Sequence, residues 1–226
     1  MSKTLKEITA LADKLYGGRE NLEGVRRSLE LLVAAAGDYE ALWRMSRAHF
    51  FLGQEAKDKD EARSHHRAGI DSGRRAARAS RQSVEGHFWL GVNLALLAQL
   101  EKPFGAVRHA LRAKRALKRA AALDPSYHSA GPLRVLARLE AKLPSLLGGG
   151  IKRARPHFEE AIRLSPSNTV TRIYFAEALL ECGDTAHARE ELETILATPS
   201  NVAWAFEIRR DQTRALEIMQ NYFKSP

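Results

Sequence analysis

Four arginines, Arg108, Arg112, Arg115 and Arg119, follow one another at spacings of 4, 3 and 4, which sets four guanidinium groups along one face of a helix. Arg74, Arg78 and Arg81 make a second, shorter stripe upstream. Such a surface can hold nucleic-acid phosphates or an anionic membrane, since each neutralised phosphate releases counterions. The arginines have no interleaved aromatic set for stacking on single strands and no base-reading motif beside them. Nucleic acid is therefore disfavoured as a partner. The plain alternative is a solvated face whose aliphatic stems cover Ala and Leu. The charge of the chain is concentrated here: residues 62–119 hold 13 Lys/Arg against 3 Asp/Glu, an excess of +10, whereas the whole chain carries +9.

Other reactive residue types give weaker patterns. His65 and His66 are adjacent, so on a helix they point about 100° apart and do not chelate together. His157 precedes Glu160 by three residues, a pairing common on helix surfaces, and no HExxH arrangement occurs. Cys182, the one cysteine of the sequence, excludes an internal disulfide framework. Lying just before Gly183-Asp184, it reads as a buried small residue rather than a reactive thiolate. Gly148-Gly149-Gly150 and Lys152 lack the spacing of a phosphate loop, and no strand precedes them. They read as a tight turn between helices, using positive φ. No catalytic residue, metal site or cofactor is expected, and the function class is binding rather than catalysis.

The elements that position these residues are helical. With 226 residues, 44% apolar and 28% charged, the chain has enough length and apolar content for a packed core. Strand signals are nearly absent, and apolar residues recur every three or four positions. Over Thr169 to Pro199, Ile173, Ala176, Leu179 and Leu180 form one helical face. Gly183-Asp184 breaks it, and Ala188, Leu192 and Ile195 form a second face. This resembles the tetratricopeptide repeat (TPR), a helix-turn-helix unit with small residues where its two helices touch. Ala12 and Gly24 repeat the spacing of twelve between Ala176 and Ala188. Ala48 with Gly69, Gly91 with Ala113, and Ala137 with Ala154 keep the pairing across longer turns. Prolines at 125 and 166 close repeats. The expected fold is all-α, an α-solenoid of about five TPR-like repeats, residues 5–38, 41–83, 84–127, 130–168 and 169–202. A C-terminal capping helix at 203–223 completes one solenoid domain over 1–226.

Two irregular blocks point further. Leu143-Pro144-Ser145-Leu146-Leu147-Gly148-Gly149-Gly150 runs on through Ala154, His157-Phe158-Glu159-Glu160-Ala161 and Leu164-Ser165-Pro166. Gly86-His87-Phe88-Trp89-Leu90-Gly91 is followed by the turn at Lys102-Pro103-Phe104-Gly105-Ala106. Over residues 40–200 the chain resembles the TPR T component associated with tripartite ATP-independent periplasmic (TRAP) transporters, and the related eukaryotic regulators of microtubule dynamics. The resemblance implies a non-enzymatic scaffold binding a protein or a small apolar ligand. Family T components are lipid-anchored and periplasmic, whereas this sequence shows no lipobox cysteine near its start.

In TPR-like repeats the first helix of each pair lines a concave groove. That register offers Met45, His49, Phe88, Val92 and Leu96, then Arg134, Arg138 and Lys142, and finally Val170, Ile173, Glu177 and Glu181. An apolar patch beside a cationic one suits an amphipathic helix, a peptide with an acidic end, or an apolar carboxylate. Phe88, Val92 and Leu96 also fit plain core packing. Self-association through solenoid ends is a further expectation. No apolar run reaches the roughly 18–20 residues of a membrane span. Residues 1–7 lack the apolar segment of a signal peptide, so the chain as written reads as soluble and cytoplasmic, or periplasmic if a leader was removed.

Overall fold

The computed structural model describes residues 4–202 and 204–223, and their regular structure is helical. The chain divides into two compact units, Met1–Asp124 and Pro125–Pro226. The first holds α1 (Leu5–Gly17), α2 (Leu22–Val33), α3 (Tyr39–Gln54), α4 (Lys59–Ala79), α5 (Val84–Leu100) and α6 (Pro103–Leu123). The second holds α7 (Tyr127–Lys142), α8 (Ile151–Leu164), α9 (Thr169–Glu181), α10 (Thr185–Ala197) and α11 (Ala205–Tyr222). Helices pair as α1/α2, α3/α4, α5/α6, α7/α8 and α9/α10, with α3 and α7 starting slightly before their expected spans. In α7 the extra residues are a left-handed turn at His128, Ser129 and Ala130, so its right-handed part starts near the expected position.

Local chemistry sets the helix ends. Thr4 and Glu7 form a capping box at α1, and the side chains of Asn21, Asp38, Asp58 and Asn168 accept from the first free backbone N–H groups of their helices. Pro103 opens α6 where a backbone N–H has no intrahelical partner. Between α7 and α8 the chain turns through Gly148 and Gly150 at φ 74° and 97°, the left-handed conformations expected for the glycine run.

The first unit is built around α5. Phe88, Trp89, Val92, Leu94 and Leu97 are all buried, so this helix is covered on nearly every side, by α3, α4 and α6. One buried polar network pins the crossing. Asn93 Nδ2 donates to the carbonyls of Ser46 (3.0 Å) and Trp89 (2.9 Å), and Asn93 Oδ1 lies 3.2 Å from His66 Nδ1. Ser46 Oγ donates to the Gly69 carbonyl at 2.7 Å. The network ties α3, α4 and α5 together without an unpaired buried amide.

In the second unit, Phe158 and Phe175 stack at 5.0 Å in a core containing Ala137, Ala154, Ala178 and Ala188. Ala215 and Ile218 of α11 close over Ile173, Ala176, Leu192 and Ile195. Gln212 Nε2 also donates to the carbonyls of Ile195 (3.3 Å) and Thr198 (3.0 Å). It thereby adds a donor to carbonyls at the C-terminal end of α10.

The tightest backbone approach of one helix to another at a glycine is between α4 and α5. A Cβ at Gly86 would sit 2.7 Å from Ala77 N and 2.9 Å from Ala76 C, and backbone atoms cannot rotate away. Gly86→Ala is therefore expected to lower stability by about 1–3 kcal/mol despite its better helix propensity. Gly17→Ala, where a Cβ meets nothing within 4 Å, should be neutral or stabilising by up to about 1 kcal/mol. Chemical denaturation compares the two, and equal stabilities would show that α4 and α5 separate freely.

Candidate anion-binding cleft

The α4 sequence places Arg67, Asp71 and Arg74 at i, i+4 and i+7, one face of the helix. On α6, Gly105, His109 and Arg112 follow the same spacing, with Arg108 beside them. Because α4 and α6 both pack on α5, these faces look onto a common cavity of about 320 Å³. Ile70 and Leu97 supply apolar walls, and Glu101 stands at the end of α5.

The charges in this cleft are not balanced. Arg67 Nη2 pairs with Glu101 at 3.0 Å. Among the described residues, Arg74, Arg108 and Arg112 make no ion pair, and the remaining carboxylate on the wall is Asp71. Burial, and then the charges of Arg74 and Arg108, pull the Arg112 guanidinium below its usual pKa; it stays charged at neutral pH. Burial first, then Arg108 and Arg112, also push His109 below its usual value, against the opposing pull of Glu101. His109 Nδ1 is sealed from solvent with no hydrogen-bond partner. A buried orphan donor is costly, so the neutral ring carries its hydrogen on Nε2. Like charges held together over apolar walls form a site that an anion would complete.

The arginine stripe expected on one face divides in the structure. Arg108 and Arg112 line the cleft and are joined there by Arg74 of the second stripe. Arg119 instead donates to the Arg81 carbonyl (3.2 Å) and Gln82 Oε1 (2.8 Å). Arg115 and Arg78 lie outside the lining. Sequence reasoning missed Arg67 and His109. Each shares a helical face with Arg74 or Arg112, but spacing within one helix does not show which face meets a neighbour.

The residues expected along the groove are mostly interior. Met45, Phe88 and Val92 are buried in the first unit and Ile173 in the second, with Leu96 partly exposed. Of the readings weighed for Phe88 and Val92, core packing matches their position. The reason is that α5 is enclosed on nearly all sides. Arg134 is also buried, 4% exposed. It donates to the Ser129 carbonyl at 2.8 Å, and burial lowers its pKa to about 10. Arg138 stacks on Tyr174 at 3.7 Å and pairs with Glu177 at 3.0 Å, while Lys142 pairs with Glu181. Arg138 and Lys142 thus already have carboxylate partners. Cys182, expected to be buried, is exposed: it is the C-cap residue, past the last turn of α9. His49 Nδ1 lies 3.2 Å from His65 Nδ1, a facing pair that the linear spacing concealed. Among the described residues no group of three or more His, Cys, Asp or Glu could hold a metal ion.

A family profile described as TRAP transporter T-component matches residues 40–220. A comparison with curated proteins finds no match. Among solved structures, a thermophilic TPR protein of Thermus thermophilus matches with a TM-score of 0.70, covering 94% of this chain and 98% of that one at 18% identity. That likeness shows the fold, an all-α solenoid of TPR-like helix pairs.

Two outcomes follow from these electrostatics. Burial, and then His65 and His66, push His49 down to about 4; burial also lowers His65 and His66. In each case the unfolded chain binds protons first, so stability is full above about pH 6.5 and falls as the pH drops towards 4. The His49 share is on the order of 3 kcal/mol. Denaturation midpoints measured across this window should decline, and His49→Gln should flatten the decline. An unchanged slope would remove His49 as its source. Separately, Arg112→Gln relieves like-charge repulsion, so its Tm should equal or exceed that of the wild type in a thermal melt. A clear drop would mean that Arg112 is a structural residue.

Proposed function

Because this chain belongs to the TRAP transporter T-component family, we propose that it is a non-catalytic binding component of a transporter-associated assembly. In this reading it engages an anionic group of its partner or ligand at the α4–α6 cleft. The observation that carries it is the set Arg74, Arg108 and Arg112, held over Ile70 and Leu97 without ion-pair partners among the described residues. The groove face offers less: of its apolar residues in the first unit, Leu96 alone is partly exposed, and Arg138 is already paired. Among the described residues no helix is long and apolar enough to cross a membrane. A periplasmic location beside the transporter accords with this reading.

The test is co-purification with the subunits of a TRAP transporter, comparing the wild type with the combined Arg74→Gln, Arg108→Gln and Arg112→Gln variant. Recovery by the wild type should fall several-fold between about 50 and about 300 mM salt, as expected for exposed charges. The variant should recover little at either salt concentration. Equal, salt-insensitive recovery by both proteins would move the contact away from the cleft.

A further inference from the structure

We propose that the α4–α6 cleft is a phosphomonoester site, in which Arg74, Arg108 and Arg112 hold the terminal phosphate oxygens and Ile70 and Leu97 take the adjoining apolar part of the ester. The proposal rests on the cleft being a binding site, and it adds the chemistry of the occupant. Once the Arg67–Glu101 pair at 3.0 Å is set aside, three cations face the single carboxylate of Asp71, an excess of two positive charges. A phosphomonoester brings about −1.5 to −2 at neutral pH and three acceptor oxygens.

The residue type sharpens the match. Every Lys or Arg lining the cleft is an arginine, although Lys102, Lys114 and Lys118 lie on or beside α6. Arginine presents a planar fork that binds a phosphate edge through two parallel hydrogen bonds, which an ammonium group cannot do. The approach comes from two helices, Arg74 on α4 and Arg108 and Arg112 on α6, so the donors enclose a compact anion rather than track an extended strand. The cavity of about 320 Å³ is at the lower end for small-molecule sites and holds on the order of ten heavy atoms with a few waters.

His109 adds a neutral donor. The groups facing it are Arg67, Asp71 and Arg74 from α4, Glu101 at the end of α5, and Arg108 and Arg112 from α6. Burial and the arginine charges hold the ring neutral. With its hydrogen on Nε2 the ring can donate to a phosphate oxygen, and affinity falls below about pH 6 as the ester loses its second charge. The ester has two natural sources, a free phosphorylated molecule or a lipid headgroup.

Titration calorimetry of the full chain at matched ionic strength would use butyl phosphate, inorganic phosphate and acetate as probes. Butyl phosphate should bind at least about tenfold more tightly than acetate, and more tightly than inorganic phosphate because of the apolar walls. Arg112→Gln should weaken butyl phosphate about tenfold or more, the loss of one charge-assisted pair. Arg115→Gln, outside the lining on the same helix, should leave it unchanged. Affinity for butyl phosphate should fall below about pH 6, where the ester loses its second charge. Equal affinities for butyl phosphate and acetate, or equal losses in the two arginine variants, would overturn the proposal in favour of diffuse surface charge. Phosphatidylcholine vesicles with and without phosphatidic acid separate the sources. Capture that depends on phosphatidic acid and on Arg112 supports the headgroup; butyl phosphate binding without capture supports the free ester. If the transporter subunits co-purify through the cleft while no phosphate probe binds, the scaffold reading stands and the phosphomonoester site falls.

Discussion

An apolar helix that is buried on nearly every side must be covered on every side, and α5 imposes that requirement on the first unit. Its residues from Phe88 to Leu97 leave no broad solvent face, so α3, α4 and α6 are all held against it. Close approach is possible because Gly69, Gly73 and Gly86 remove side chains where backbones and Asn93 come near. The same arrangement brings the polar faces of α4 and α6 to a common cavity. The cleft is thus a consequence of burying α5, with its cations on the outer edges of helices whose inner edges form the core.

Arginine–carboxylate pairs recur in both units. In the second, Arg138, Lys142 and Arg155 meet Glu177, Glu181 and Asp184, and Arg172 meets Glu191 at 2.6 Å. In the first, Arg44 and Arg47 converge on Asp13 at 2.9 and 2.6 Å; their hydrogen bonds outweigh burial and hold that carboxyl below its usual pKa. Arg74, Arg108 and Arg112, like Arg78 and Arg115, make no ion pair among the described residues, but they are gathered in one cleft. Surface pairs contribute little to stability, but gathering like charges over apolar walls opposes folding. A protein tolerates such a cluster most readily where binding makes use of it.

Much of the architecture was readable from the residues. The 3.6-residue periodicity, the small-residue pairs, and the prolines at 125 and 166 pointed to an all-α fold of helix pairs, which the described residues show. The positive φ of Gly148 and Gly150 was equally legible, because only glycine adopts such conformations without strain. The candidate site was half legible: the helical spacing put Arg108 and Arg112 on one face. It left open whether they look onto solvent or a neighbour, and it joined them to Arg119, which turns instead to the α4–α5 connection.

What the sequence determined by itself is therefore local: which residues are helical, where helices stop, and which side chains share a face. Those follow from backbone sterics, capping chemistry and periodicity within a few residues along the chain. The tertiary structure alone decided that Phe88 and Val92 serve the core, that Arg138 is matched by Glu177, and that Arg67, Arg74 and His109 meet Arg108 and Arg112 across one cavity. These outcomes depend on which faces of separate helices are brought together, and packing distances between residues more than thirty positions apart are not written in the spacing of either helix.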